Sequence, residues 1–439
     1  MSKEVEGAAS DQSSTAREMR RVVWASVVGT ALEAYDLYLY GTAAALVFGP
    51  LFFPNGNPAV GTLLALSTFA LSFIARPIGA LFFGHFGDRV GRKRVLWLTL
   101  LLMGGSTFLI GCLPTYAAIG FTAPLILVVL RFVQGFGFGG EYSGAVLMLM
   151  EHAPENRRGF YAGLNNVGPV FGFIASSGLF IGLTDWLGTD QFVAWGWRIP
   201  FLFSIVLIIV GLIARSRLTE SPLFMEAVKR HEVRRERIPV VELFRTQWRQ
   251  VVLTVGANIA QFASNYLVLT FALSYGVSIG VNYDTVLLTV IIAVCANIIV
   301  IPIASQLSDR VGRKPVIIVG LIGTAVWAFP FFALFNTAQL GFMILGFVPM
   351  MVFYSTMFGP IASFSSEQFS TTVRYTGSAL SYNLAGILGA AFAPLIASAL
   401  LTSFNSSVPI SIYLIGLCVI SLICVLIARE TNNRRLAAS

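Results

Sequence analysis

Apolar stretches of roughly 20 residues recur along the whole of this 439-residue chain, most of them bounded by charge, glycine or proline. An α-helix rises about 1.5 Å per residue, so a run of that length crosses the ~30 Å hydrocarbon core of a bilayer. A backbone in hydrocarbon must satisfy its own hydrogen bonds, which leaves helices or closed barrels, and the alternating segments of a barrel do not occur here. With 56% hydrophobic and 11% charged residues, a water-soluble globule is excluded. The reading is an all-α membrane protein.

Hydropathy places twelve spans at 22–49, 60–86, 94–113, 124–151, 159–183, 197–216, 249–276, 284–307, 315–335, 340–365, 374–402 and 407–428. Setting aside Arg76, Arg131 and Arg198 leaves 26 of the 29 basic residues (29 − 3), and these fall in alternate loops and the two tails. Because cytoplasmic loops concentrate Lys and Arg, both termini are expected in the cytoplasm. The first apolar run is too long for a signal-peptide core, so it is expected to remain as a span. The formal charge of +8 punctuates apolar spans and does not gather on a soluble module, which argues for topology and against a nucleic-acid partner. Cys112, Cys295, Cys418 and Cys424 lie in or beside hydrophobic runs without metal-ligand spacing and read as small core residues.

The hexapeptide "DRVGRK" occurs at 88–93 and again at 309–314, an offset of 221. A second echo, "NRRG" ending at Gly159 against "VRYTG" ending at Gly377, falls before the fifth span of each half. Two homologous halves of six helices follow, with a site expected between them. The organisation is a tail at 1–20, a first half at 21–216, a linker at 217–248, a second half at 249–428 and a tail at 429–439. The mixed charges from Arg215 to Arg249 read as a cytoplasmic connection whose basic face lies on anionic lipid.

"GHFGDRVGRKRV" resembles the signature loop of the major facilitator superfamily, and "RFVQGFGFGGE" (131–141) its fourth-helix motif. "GTALEAYDLYLYGTAAALVFGPLFFP", "FIARPIGALFFGHFGDRVGRK", "GGEYSGA", "WGWRIPFL" and "RYTGSALSYNLAGILGAAFAPLIA" together resemble the metabolite:H+ symporter family. That family includes permeases for shikimate, alpha-ketoglutarate and citrate and an osmolyte carrier for proline and betaine; the first helix and its loop look most like the shikimate branch. The resemblance implies a monomeric transporter in a bacterial inner membrane, driven by the proton gradient without a cofactor, that takes up a small organic acid with protons. The alternatives it leaves are an osmolyte carrier, a uniporter or an exchanger. "GPVFG" (168–172) is similar to a motif of proton-driven antiporters, against which stands a close helix contact between small residues.

A charge at mid-bilayer costs several kcal/mol unless it is paired or faces water, so Glu33, Asp36, Arg76, Arg131 and Glu141 are the functional candidates. Arg76 lies roughly 15–18 Å above the loop at ~1.5 Å per residue. Its guanidinium cannot lose its proton and offers a planar fork to a carboxylate, which suits an anionic substrate; the alternative is an ion pair with Glu33 or Glu141. The resemblance supports the substrate role, since organic-acid members carry an arginine before this proline. Glu33 and Asp36 are three residues apart and are expected to share a helix face, where mutual repulsion favours holding a proton. Arg131 resembles the motif arginine that works beside the first helix, so Asp36 is the first choice for proton coupling, followed by Glu33 and Glu141; the alternative is a fixed charge cluster joining helices one and four.

Uncharged groups are expected to complete the cavity: Asn258, Gln261 and Asn265 on one stripe, with Tyr35, Asn165, Asn166, Tyr354, Tyr382 and Asn383. Asp88, Arg92, Asp309 and Arg313, with Arg158 and Arg374 at the adjoining helix starts, are expected to gate the cytoplasmic side, because a carboxylate is favoured at a helix N-terminus. Arg198, beside Trp195 and Trp197, reads as an interfacial anchor. Gly135, Gly137 and Gly140 spell G-x-G-x-x-G, but no strand precedes them, so they read as helix packing. His85, His152 and His231 are scattered and form neither a metal cluster nor a nucleophile-base pair, which disfavours an enzyme.

Overall fold

The computed structural model describes residues 2–54, 58–216 and 239–432; side chains of 2–16 and of some helical residues, among them Asp88 and Arg92, lie outside the description. Twelve long helices run in chain order: α1 (Ser2–Ala43), α2 (Pro58–Val90), α3 (Arg92–Cys112), α4 (Thr122–His152), α5 (Glu155–Leu187), α6 (Phe192–Ser216), α7 (Trp248–Ser278), α8 (Tyr283–Val311), α9 (Arg313–Phe335), α10 (Leu340–Glu367), α11 (Arg374–Phe404) and α12 (Val408–Ile427). Among the described residues ten of them, α3 to α12, are long and apolar enough to cross a membrane by length and composition. The chain is a multi-pass, all-α membrane protein. Helix α1 begins at Ser2 and so runs through the stretch that the sequence reads as a polar tail.

The duplicated hexapeptide folds the same way twice. Gly91 between α2 and α3, and Gly312 between α8 and α9, both have φ of 104°, a left-handed conformation that a Cβ disfavours. The first helix of each half also loosens at a corresponding place. Helix α1 passes into a π-helical turn at Ala44–Phe48, and α7 contains one at Leu267–Phe271. Such turns leave part of the backbone ladder adjustable and are common beside functional sites.

Glycine sets how closely the helices approach. A Cβ on Gly79 would lie 1.9 Å from the Phe136 carbonyl oxygen, and one on Gly139 would lie 2.1 Å from that of Arg76, so α2 and α4 meet backbone to backbone. Of the G-x-G-x-x-G run itself, Gly140 faces the Phe83 side chain and Gly137 faces α3, while Gly135 meets the Ser72 carbonyl oxygen of α2 in the same way, at 2.4 Å from a Cβ. "GPVFG" does the same for α5 against α1: a Cβ on Gly172 would stand 2.2 Å from the Ala31 carbonyl oxygen. Pro169 of this motif has no N–H, so the Asn165 carbonyl four residues earlier accepts instead from the Gly168 N–H in a 3-10 turn, and the Thr30 hydroxyl of α1 also donates to that oxygen at 2.9 Å.

Between the halves, α2 packs on the first part of α11, while the start of α5 packs against α8 and α10. These contacts gather toward the end that carries both DRVGRK loops, called here the basic end. Tyr375 lies against Gly87 and Gly144, and Ser305 against Gly163. Large side chains such as Ile299, Ile303, Val326 and Leu395 are exposed around the outside. On a membrane protein that apolar exterior is the lipid contact.

Candidate functional site

A cavity of about 60 Å³ lies between the halves. On α1 its lining is Thr30, Glu33, Ala34, Leu37 and Tyr38, the i, i+3, i+4, i+7, i+8 stripe of one helix face. Phe138 and Tyr142 of α4 and Tyr354 and Phe358 of α10 are i, i+4 pairs; α7 adds Gln261, Phe262, Asn265 and Tyr266, and Pro169 and Tyr382 come from α5 and α11. Helix α2 contributes Arg76. Ligand cavities usually hold about 300–1,000 Å³, so in this conformation the halves are closed around the site.

Arg76 is 3% exposed, and its guanidinium carbon lies 3.6 Å from the centre of the Phe138 ring and 3.9 Å from that of Phe73. The rings hold the cation by their quadrupoles and fix the plane of its fork. Its electrostatic neighbours are Tyr266, Glu33 and Tyr382. Among the described residues Arg76 makes no ion pair, and Glu141, one partner considered for it from sequence, is paired elsewhere.

The two carboxyl groups of α1 part company. Glu33 lines the cavity and its Oε2 has no hydrogen-bond partner among the described residues, whereas Asp36 is buried beside Thr107, Gln134 and Arg131 inside the first half. Asp36 stands only about 60° from Glu33 around the helix, but roughly 130° from the centre of the lining stripe at 3.6 residues per turn, so the two remain neighbours and only Glu33 reaches the cavity. Arg131 donates to Gln134 Oε1 at 2.5 Å and sits 3.9 Å over the Tyr40 ring. Tyr35 shares this outward orientation. Its hydroxyl donates to the Pro200 carbonyl at 2.8 Å, so it is not a cavity residue.

Glu141 is fully buried and accepts from Arg215 and, at 2.6 Å, from the Thr99 hydroxyl; Arg215 also donates to the Leu96 carbonyl. Arg215 therefore belongs to the helical core and not to the connecting segment, because α6 continues through Ser216. Its position at the edge of a basic run concealed this in the sequence. A Cβ on Gly29, one turn before Glu33, would lie 3.0 Å from Glu141 Oε1, so the pair presses directly on α1.

Of the predicted amides and phenols, Gln261, Asn265, Tyr354 and Tyr382 line the cavity. The others hold helices together. Asn166 accepts from the Tyr142 hydroxyl at 2.9 Å and donates to the Phe358 carbonyl of the other half at 2.6 Å. Asn383 donates to the Gly139 carbonyl at 3.0 Å, also across the halves. Asn258 donates to Ser365 Oγ at 3.0 Å, nearer the basic end; the buried Asn165 side chain is the exception, with no hydrogen-bond partner among the described residues. Tyr38, Tyr142 and the two rings on Arg76 were missed. Tyr38 continues the stripe through Thr30, Glu33 and Leu37, and that periodicity could have found it.

At the basic end, Asp309 Oδ1 and Oδ2 accept from the backbone N–H groups of Gly159 and Phe160, both at 2.8 Å, at the start of the Arg158–Leu164 helical segment of α5. Arg313 donates to the same carboxylate at 2.6 Å and to Glu367 at 3.3 Å. Arg158 pairs with Glu155 at 3.5 Å, and Arg374 donates to the Phe369 carbonyl at 3.3 Å. A carboxylate of one half thus caps a helix of the other, where the dipole favours it. Arg198 stacks on Trp197 at 4.4 Å and donates to the Leu113 carbonyl at 3.2 Å.

Two six-helix halves, a small cavity between them and ionisable groups within the bundle are the arrangement of a membrane transporter. The family model of the Major Facilitator Superfamily matches residues 27–383 and 255–438. The chain belongs to that superfamily of membrane transporters, in its metabolite:H+ symporter family. It is 41% identical over 425 residues to the inner membrane metabolite transport protein YhjE of Escherichia coli K12, covering 95% of each chain. It is 40% identical to the shikimate transporter of the same organism, covering 94% of this chain and 95% of that one. A proline/betaine transporter of Salmonella typhimurium is 35% identical, and the match covers 95% of this chain and 85% of that one. In fold it resembles the proton:xylose symporter XylE bound to 6-bromo-6-deoxy-D-glucose, with a TM-score of 0.78 at 18% identity over 96% of this chain and 98% of the symporter.

Proposed function

We propose that this transporter carries a small hydroxylated organic acid into the cell together with a proton, by alternating access, using no cofactor beyond the proton gradient. The observation that carries the reading is Arg76: a permanent cation in the cavity, held between aromatic rings and in no ion pair among the described residues although Glu33 neighbours it, so that a close counter-charge is left for a substrate to supply. A carboxylate supplies that charge, and Gln261, Asn265, Tyr266, Tyr354 and Tyr382 offer hydrogen bonds to its hydroxyl groups.

Proton coupling follows from the same cavity. Glu33 and the substrate carboxylate both face Arg76, and two anions against one cation in a dry site are costly. Binding the acid therefore favours a protonated Glu33. Asp36, beside Arg131, is the second carboxyl through which a proton shifts the packing of α1 on α4. The basic end is assigned to the cytoplasm, with both termini there and the protein acting as a monomer in a bacterial inner membrane; the excess of Lys and Arg at that end supports the orientation.

The test is reconstitution in liposomes holding an internal pH dye, with shikimate, a dicarboxylate, an aromatic acid, betaine and proline added singly. Internal acidification with an acid alone supports the reading. A response only to betaine or proline moves the protein to the osmolyte carriers, the second reading that the proline/betaine relatives favour.

A further inference from the structure

The Tyr142 and Tyr382 rings, from α4 of one half and α11 of the other, stack with centroids 3.7 Å apart and planes 9° from parallel. Both residues line the central cavity, and both line a second, smaller cavity of about 10 Å³ whose other polar walls are Ser143, Asn258, Ser365, Ser366 and Ser378. That volume accommodates about one water. Helix direction places the second cavity nearer the basic end: Ser365 and Ser366 close α10, which ends at Glu367, while Ser378 lies in the first turns of α11.

We propose that the tyrosine pair is the inner gate of the transport path and that the serine-lined cavity beneath it is a second polar station for the substrate on its way out. Three observations meet here. The stack is a single aromatic layer between two cavities, and it joins opposite halves, so separating the halves must break it. Tyr142 is anchored through its hydroxyl to Asn166, which bonds the Phe358 carbonyl of the other half, so the ring is braced by the same movement it must follow. Tyr382 and Arg76 line the same cavity, so an acid seated on that guanidinium lies against the gate from the cavity side.

The chemistry of the second cavity fits release. Its hydroxyl and amide groups can take over the hydrogen bonds of a hydroxylated acid, but among the described residues no cation lines it, so a carboxylate is held there less tightly than at Arg76. The station rests on the organic-acid reading of the central site. The gate does not, and it is tested without substrate.

The experiment uses the full chain in proteoliposomes, with the four native cysteines replaced and Ser143→Cys as reporter beneath the gate. A membrane-impermeant maleimide is applied from one side and then the other. With the gate intact, labelling is expected from the basic-end side only; Tyr382→Ala should raise labelling from the opposite side at least tenfold, while Tyr382→Phe, which keeps the ring, should retain the one-sided pattern. Equal labelling from both sides with the stack intact, or a Tyr382→Ala protein that elutes as the parent does yet remains one-sided, overturns the gate. If the gate holds, Ser365→Ala with Ser378→Ala should slow release of a transported acid severalfold at unchanged affinity for the outward-facing site. An unchanged release rate overturns the station.

Discussion

The Arg76 guanidinium carbon lies over the Phe138 ring, 3.6 Å from its centre, because Gly139 lets α4 come against the Arg76 carbonyl. One glycine contact thus sets two things: the spacing of α2 and α4, and the place from which Arg76, the only α2 side chain among the described residues of the central cavity, presents its charge. Substituting Arg76→Lys keeps the charge but loses the fork and the delocalised cation that stacks on the rings. Binding of the acid, measured by calorimetry on purified protein, is expected to weaken roughly 10- to 100-fold, equivalent to about 1.5–3 kcal/mol, with little change in the amount of folded protein. Unchanged affinity removes Arg76 from the substrate site.

The two carboxyl groups of α1 predict separable defects. Glu33→Gln fixes the cavity in the state that resembles a protonated Glu33, so it is expected to bind acid with little dependence on pH and to exchange it without accumulating it. Asp36→Asn should abolish uphill uptake by breaking the link to Arg131, while sparing some exchange of bound substrate. The readout is pH-jump-driven accumulation against counterflow in the same liposomes. Full accumulation by either variant assigns that carboxyl a structural role only.

How much of this was legible beforehand depends on whether the signal was local. The duplicated DRVGRK, the small-residue runs and the length of the apolar segments each report a constraint along one helix, and they located the halves, the glycine contacts and the loops with glycine in the left-handed region. Arg76, Glu33, Gln261 and Asn265 were found because a polar group in an apolar span is conspicuous. Tyr38 and Tyr142 were missed because a tyrosine near lipid is ordinary, and only the helix stripe distinguishes it. Asp36 and Arg215 were misjudged for opposite reasons. One lies three residues from a cavity residue yet faces away, and the other belongs to a basic stretch yet turns inward to Glu141.

That buried pair makes a stability prediction. Glu141→Gln leaves Arg215 without its anion in a site where both side chains are almost wholly buried, and removing one member of such a pair costs roughly 3–5 kcal/mol. The unfolding midpoint in detergent should fall markedly. Replacing both residues, Glu141→Leu with Arg215→Met, should recover most of the loss, since no charge then remains to be desolvated. If the double variant is as unstable as the single one, the pair contributes more than mutual neutralisation.

Asp309 caps α5 across the halves, so its loss should favour separation at the basic end. Asp309→Asn keeps the size but removes the charge from a helix N-terminus and from Arg313, interactions worth about 1–2 kcal/mol at such sites. A shift of roughly 5- to 30-fold in the ratio of closed to open protein is expected. Spin-label distances between the ends of α5 and α8 measure it directly, and an unchanged distance distribution removes Asp309 from the gate.

The segment after α12 gives a pH dependence whose sign can be worked out. Glu430 accepts from the backbone N–H groups of Arg313 at 2.9 Å and Lys314 at 3.0 Å, and from those of Thr431 and Asn432, while the Thr431 hydroxyl donates to Glu367 at 2.5 Å. Burial alone would raise the Glu430 carboxyl, but these four donors outweigh it and hold the group below its ordinary value of 4.5. A carboxyl lowered in the docked state stabilises docking fully above its undocked pKa, and that contribution disappears as pH falls through the docked one. Hydrogen exchange at the start of α9, corrected for intrinsic rates, should therefore show constant protection from neutral pH down to about 5 and decreasing protection below about 4. In Glu430→Gln the protection should be lower throughout and independent of pH over that range. Protection that declines as pH rises, or an acid response that persists in Glu430→Gln, places the titrating group elsewhere.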